Sequence, residues 1–359
     1  MQILIDATPL LLRSAGVKNY LYYWIRSLRE QAGQDQIATL PRLEGMTALN
    51  HERSVLGAAR TRFHLARVYL ANAAPGLRVL QWTMQQADVF HVSNQIRNPP
   101  RNIRLAATLY DMTTRLMPEL HTAANLRADE SLAANVFRRA SGLIAISENT
   151  RQDAVRLLGL DARRIEVIYP GVPEAYFRAL PTPAGKPYVL FVGMIEPRKN
   201  VDALLDAWQD FPLRAEFDLV IAGPGGWAAE KTLARLAVQP PGVRYLGYVK
   251  EEDLPGLTAG AAAFVYPSLY EGFGIPVAQA MAAGVPVITS NTSCLPEIAG
   301  DGALLVDPRS PTEIRAALEK LLTSASLRQK LGESARERAQ QYRWENSARK
   351  SLEFFRRLG

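Results

Sequence analysis

Three short stretches combine charge, glycine and position in a way that suits a phosphorylated ligand. The first is Arg13-Ser-Ala-Gly16-Val-Lys18-Asn-Tyr20, between an apolar run and a helical pattern. A glycine there lets backbone amides approach a ligand, a helix N-terminus favours an anion, and Lys18 adds a full charge. An ordinary strand-to-helix turn also asks for a glycine, so this stretch alone decides nothing. The second is Gly193-Met-Ile-Glu-Pro197-Arg198-Lys199-Asn200. Two adjacent cations between a strand end and a helix start suit a diphosphate, Arg198 gripping oxygens bidentately and Lys199 acting as a compact charge. The third is Pro267-Ser268-Leu-Tyr270-Glu271-Gly272-Phe273-Gly274-Ile275-Pro276, running on to Gln279. Glu271 sits on a loop and Gln279 one or two turns into the next helix, so both can face one cleft, with Gly272 and Gly274 freeing backbone N–H groups near the helix start.

Other chemistries lack their residues. No Gly-x-Gly-x-x-Gly follows a strand and no Walker-type lysine loop is present. Cys294 is the only cysteine, which excludes a disulfide framework, a Cys-x-x-Cys redox centre and a cysteine zinc site, and fits a reducing cytoplasm. His51, His64 and His121 have no metal-ligand spacing, there is no Asp-x-Asp, and we expect no metal and no cofactor. His91, in Asp-Val-Phe-His-Val, is a weaker candidate, since a histidine at a strand end is more often structural.

These stretches need elements to position them. Short β-rich runs alternate with helical periodicity along 359 residues, which implies parallel sheets covered by helices. In the first half the spacing predicts strands over 3–6, 88–92, 105–109, 142–146 and 165–168, with helices beginning near Gly16, near Ser54, after Pro118 and at Ser147. Residues 176–187 hold Pro181, Pro183, Gly185 and Pro187 and read as a linker. The pattern restarts with strands over 188–192, 217–222, 243–246, 263–266 and 285–289, and the chain ends in helices over 311–322, 326–341 and 344–357. The fold class is α/β: two doubly wound Rossmann-like domains, 1–175 and 188–343, facing a cleft where such sheets bind ligands. The most apolar stretch, 277–288, runs about a dozen residues, short of the ~18–20 that span a bilayer. The N-terminus carries Asp6 in its apolar run and reads as a strand, not a signal peptide.

The net charge of +7 is uneven. Residues 1–175 hold 21 Lys/Arg against 15 Asp/Glu, and the remainder is almost balanced. With no zinc finger, aromatic-rich RNA-binding strand or consecutive basic block, nucleic acid is not an expected partner. Between residues 53 and 78, Arg53, Arg60, Arg62 and Arg67 interleave with Val55, Leu56, Phe63, Leu65, Val68 and Leu70, as on a basic amphipathic helix. Such a segment is either an ordinary surface helix or one that lies on anionic lipid, at the inner face of a membrane.

Taken together, Pro-Arg-Lys-Asn at 197–200, Pro-Ser-Leu-Tyr-Glu-Gly-Phe-Gly at 267–274, Gly-Val-Pro-Val-Ile at 284–288 and Leu-Pro-Glu-Ile-Ala-Gly at 295–300 resemble the retaining glycosyltransferases of family 4, with the GT-B fold. The resemblance is strong in the second half and looser in the first, and the closest look is of bacterial mannosyltransferases of surface polysaccharide or lipid-linked sugar assembly. It implies transfer of a hexose from a nucleotide diphosphate sugar, GDP-mannose first, to a hydroxyl of a glycan or lipid-linked acceptor without a metal. It further implies that Arg198 and Lys199 hold the donor diphosphate, helped by the Gly16 amide, with Gly193 at the strand end beside them. Glu271 would contact donor hydroxyls with the amides of Phe273 and Gly274 nearby, and position 279 the ribose. The helix from Trp344 would cross back onto the first domain.

Two residues depart from the family's pattern. Gln279 replaces a usual glutamate, which costs one charge-assisted hydrogen bond, on the order of 1 kcal/mol. In Thr108-Leu-Tyr110-Asp111 the tyrosine stands where relatives often carry histidine; a phenol hydrogen-bonds but does no imidazole chemistry near neutral pH. Asp111 remains as acceptor-side base or orienter, with Tyr110, His91 and Lys18 as further candidates on the sugar and acceptor side. The alternatives are a UDP-glucose, UDP-galactose or UDP-N-acetylglucosamine donor, or a non-catalytic nucleotide-sugar-binding subunit. An epimerase or phosphorylase on a similar fold lacks supporting motifs.

Overall fold

The computed structural model describes residues 1–12, 16–43, 45–46, 49, 53–182 and 185–359, without the side chains of Pro75 and Trp82. Arg13, His51 and Pro183, named above, lie outside the described residues. The chain divides into two compact units, one made of Met1–Gly171 and Trp344–Gly359, the other of Val172–Arg343.

In the first unit six parallel strands, β1 (Gln2–Asp6), β2 (Gln36–Leu40), β3 (Val89–Val92), β4 (Leu105–Leu109), β5 (Gly142–Ala145) and β6 (Ile165–Val167), lie in the order β2-β1-β3-β4-β5-β6. β3, β4 and β5 are buried throughout, as strands covered by helices on both faces must be. The helix Glu148–Leu158 begins where Ser147 accepts a hydrogen bond from the Thr150 amide and ends on left-handed Gly159. The helix expected near Ser54 starts at Ala58, because the Ser54 hydroxyl is engaged with Thr61 (2.7 Å) and with the Leu56 amide. The C-terminal helix Trp344–Leu358 buries Trp344, Leu352, Phe354 and Phe355 in this unit, and the Trp24 indole donates to Ser351 (3.0 Å).

The second unit repeats the plan with β7 (Tyr188–Val192), β8 (Asp218–Ala222), β9 (Val243–Gly247), β10 (Ala263–Tyr266), β11 (Val287–Ser290) and β12 (Ala303–Val306), in the order β12-β11-β10-β7-β8-β9, all parallel. Each sheet therefore has one strand more than the five expected. The added strands, β2 and β12, are both sheet edges, where part of the strand stays exposed and the apolar signal thins out.

The expected linker also needs correction. The unit boundary falls between Gly171 and Val172. Tyr176 and Phe177 are buried on a helical turn, Glu174–Phe177, and the Arg343 guanidinium lies 4.0 Å over the Phe177 ring. Arg336 donates to the Phe177 carbonyl (2.9 Å), and the Thr182 amide to Gly256 (3.1 Å). The stretch from Val172 to Thr182 is thus packed on the second unit.

Candidate active site

In the second sheet β7 has β8 on one side and β10 on the other, so the chain's path across the sheet reverses between β7 and β10. Loops leaving the carboxyl ends of such strands diverge and open a crevice that binds ligands. The second and third sequence stretches are those two loops. Pro197–Lys199 makes one tight helical turn, closed by Asn200 with φ 59°, a left-handed conformation that asparagine tolerates well. The Asn200 amide donates to the carbonyls of Pro267 (3.0 Å) and Pro308 (2.6 Å), and the Leu269 amide to the Arg198 carbonyl (2.8 Å). The two loops are thus held together before any side-chain charge is counted.

Glu271 stands at the centre, 7% exposed. Its Oε1 accepts from the Lys199 ammonium (2.6 Å), the Ser268 hydroxyl (2.7 Å) and the Tyr266 hydroxyl (3.1 Å), while its Oε2 lies 2.9 Å from the Arg198 guanidinium. Lys199 also donates to Tyr266 (2.6 Å), and Arg198 to Glu196 (2.8 Å) and the Tyr270 carbonyl (2.7 Å). Burial alone would raise the Glu271 carboxyl; Arg198 and Lys199 outweigh it and hold it at about 2. Burial also pulls the Lys199 ammonium below its ordinary range, against the attraction of Glu271. The pair of cations expected to await a diphosphate is therefore already matched by two carboxylates, Glu196 and Glu271.

Around this centre, Gly274 has φ 82° and starts the helix Ile275–Ala282, on which Gln279 is buried. A Cβ at position 274 would lie 2.7 Å from Leu295 Cδ2, so glycine is required by backbone and by space. The Phe273 ring packs edge-on against Tyr342 at 5.3 Å and is core. At Gly193 a Cβ would make only ordinary contact (3.5 Å), and the demand for glycine sits across from it at Gly223, where φ is 144° and a Cβ would fall 1.9 Å from the Gly193 carbonyl oxygen. Sequence reasoning passed over this Gly223-Pro-Gly-Gly226 loop, although its composition after β8 was the available signal. Ser268 and Tyr266 were likewise not assigned as ligands of Glu271. The first lay inside the quoted motif; the second reads as an ordinary strand residue.

The first unit corrects two candidates. Lys18 is fully buried and its ammonium donates to the carbonyls of Leu12 (2.9 Å) and Arg53 (2.7 Å), which ties two backbone segments together. His91 is also fully buried, bonded through Nε2 to Thr108 (2.9 Å) and packed on Trp24 and Phe355, and burial lowers it to about 3. A neutral imidazole in a sealed aromatic pocket is structural. Gly16 begins the helix Gly16–Gln31, exposed and with open space around it. Asp111 Oδ1 accepts from the amide (3.0 Å) and hydroxyl (2.7 Å) of Thr113. The Tyr110 ring sits edge-on to Tyr20 at 5.5 Å, and both hydroxyls are buried with no hydrogen-bond partner among the described residues. Burial, then Tyr20 and Asp6, push the Tyr110 phenol well up. Asp6, unexposed and with Oδ2 unpartnered, was not among the expected site residues; an acid ending the first apolar strand was its only trace.

No group of three or more His, Cys, Asp and Glu side chains among the described residues converges as a metal ion needs, and no helix there is long and apolar enough to cross a membrane. Residues 14–176 match the family described as Glycosyltransferase Family 4, and residues 173–338 that of Glycosyl transferases group 1. The chain is 33% identical over 274 residues to the O-antigen chain mannosyltransferase B of Escherichia coli, covering 72% of each protein. It is 28% identical over 328 residues to the serotype-specific mannosyltransferase WbdA of Escherichia coli, covering 86% of this chain and 39% of that longer one. Among solved structures, the sucrose-phosphate synthase of Thermosynechococcus elongatus superposes with a TM-score of 0.76 at 19% identity, over 99% of this chain and 98% of that one. Two parallel six-stranded sheets, ligand loops at the strand-order reversal and these matches lead to one conclusion: the chain belongs to the family 4 glycosyltransferases, and its two Rossmann-like units are those of the GT-B fold.

Proposed function

We propose that the protein transfers mannose from GDP-mannose to a hydroxyl of a glycan or lipid-linked acceptor, with retention at the anomeric carbon. The observation that carries the reading is the buried Arg198–Lys199–Glu271 cluster at the carboxyl ends of β7 and β10; the names of the Escherichia coli relatives support the choice of sugar. In this reading the bond from the anomeric carbon to the β-phosphate oxygen breaks and one from the acceptor oxygen forms on the same face. The acceptor proton leaves on the departing phosphate, so no nucleophile from the protein is needed. Arg198 and Lys199 meet the charge that builds on the leaving diphosphate, by preorganised electrostatics in a site shielded from water. Glu271 fixes both cations in place, Gln279 takes the ribose, and Tyr110 and Asp111 lie on the acceptor side.

Ligand-observed NMR with GDP-mannose, GDP-fucose, UDP-glucose, UDP-galactose and UDP-N-acetylglucosamine tests the donor. GDP-mannose is expected to bind wild type and to be lost in Arg198→Ala. Binding of a UDP-sugar in its place would move the donor assignment, and binding unchanged in the variant would remove Arg198 from the diphosphate site.

A further inference from the structure

The helix Ala58–Ala73 has an unusual outer face. Its inner face is ordinary: His64, Val68 and Ala71 are buried, and His64 Nε2 bonds to the Thr8 hydroxyl (3.0 Å). Asn72 pins the far end, donating to the Gln95 carbonyl and accepting from the Arg97 amide, both at 2.8 Å. Outward, where a helix in water carries polar residues, stand Phe63 (67% exposed), Tyr69 (70%) and Leu70 (43%), with Leu77 (63%) just beyond the helix. Four of the eleven large apolar side chains exposed among the described residues thus fall within fifteen residues of sequence. The gaps between them hold exposed Ala66 and Ala73, with exposed Ala59 one turn before Phe63, which leave the aromatic and aliphatic side chains proud of the surface.

Along this stretch of sequence the charge has one sign. From Arg53 to Ala87 the sequence holds five arginines and no aspartate or glutamate. Arg53, Arg60, Arg62 and Arg78 are exposed, while Arg67 is half-buried, donates to the Val79 carbonyl (3.2 Å) and stacks 5.8 Å from the Phe63 ring. Apolar side chains flanked by arginines, in a stretch from 53 to 87 without an acidic residue, match a surface that is anionic outside and hydrocarbon beneath.

We propose that this face docks on an anionic lipid bilayer, with Phe63, Tyr69, Leu70 and Leu77 entering the acyl boundary and Arg60, Arg62 and Arg78 meeting headgroup phosphates. Its place in the unit gives the contact a purpose. Thr8 follows β1 and Gln95 follows β3, so the helix is pinned at the carboxyl edge of the first sheet, the edge that also carries Tyr110 and Asp111 after β4. A bilayer held there would present a lipid-linked acceptor to that edge; this last step rests on the proposed function, whereas the docking itself does not.

Flotation with vesicles of phosphatidylcholine alone, or of equal parts phosphatidylcholine and phosphatidylglycerol, tests the docking without donor or acceptor. Wild type is expected to float with the anionic vesicles only, and less at raised salt. Each arginine near an anionic surface strengthens binding roughly fivefold, so Arg60→Gln with Arg62→Gln should weaken it about 25-fold. Phe63→Ser with Leu70→Ser should abolish flotation while thermal melting and donor binding stay as in wild type, which keeps a failure here separate from a failure of the donor reading. Absence of flotation at low salt would overturn the proposal, as would flotation undiminished in the serine variant. So would a concentration-dependent dimer, seen by sedimentation without lipid and lost in that variant, which would make the face a contact between copies.

Discussion

Glu271 is surrounded by more donors than a carboxylate needs for solubility, and that surplus explains its charge. Arg198, Lys199, Ser268 and Tyr266 all converge on it, so ionisation survives burial. Its carboxyl lies below its ordinary value of 4.5, so its contribution to stability is complete above pH 4.5 and is lost as pH falls towards about 2. Removing one partner is costly: Lys199→Ala leaves the carboxylate facing a lost cation and should destabilise the second unit by about 3–5 kcal/mol in denaturant titration. Arg198→Ala, judged on turnover, should lose roughly 10²–10³-fold. Glu196 acts in the opposite sense, since it is the more exposed of the two carboxylates on Arg198 and competes with any anion there. Glu196→Gln should tighten binding of a nucleoside diphosphate severalfold by calorimetry, in keeping with the ~1 kcal/mol that such a partly exposed pair is worth. Arg198, Lys199 and Glu271 drew attention in the sequence because charged residues beside glycine and proline rarely serve packing, whereas Glu196 did not stand out there. What stayed hidden was their mutual pairing, which depends on two loops 72 residues apart meeting at one point. Lys18 and His91 misled for the converse reason: a charged or titratable type does not reveal whether its environment is carbonyl oxygens or aromatic rings.

At the scale of elements, the site is made by where two strands stop. β7 and β10 are buried almost from end to end, and their positions were readable from unbroken apolar runs. The edge strands β2 and β12 were not, because half-exposed edges carry mixed residues, although Pro308 just beyond β12 accepts from Asn200. The loop after β8 does shape it. Gly223 presses against the Gly193 carbonyl at a φ that L-residues avoid, and this contact sets how closely the β7 loop can approach its neighbour. Gly223→Ala should therefore cost a few kcal/mol. Differential scanning calorimetry should show the second unit's transition moved down and the first unit's unchanged, whereas a surface glycine such as Gly185, with open space around it, should tolerate alanine.

For the molecule as a whole, the division of the chain matters more than its length. The helix Trp344–Leu358 returns to the first unit and closes a pocket of Trp24, His91 and Phe355. Phe355→Ala should destabilise that unit by about 3–5 kcal/mol and leave the other transition in place. The sealed imidazole adds a pH signature. Unfolded His91 takes a proton below its ordinary value of 6.5, whereas in the fold it does so only near 3, so the first unit should lose stability as pH falls between those values. His91→Phe should reduce that slope and leave the part due to His64, which burial lowers to about 4. A further consequence concerns synthesis on the ribosome. The first unit is begun by residues 1–171 but lacks its closing helix until the whole of Val172–Arg343 has been translated, a delay on the order of ten seconds. Through that interval the aromatic face of the helix Gly16–Gln31 waits uncovered, so the nascent first unit is the stage at which chaperones would hold this chain.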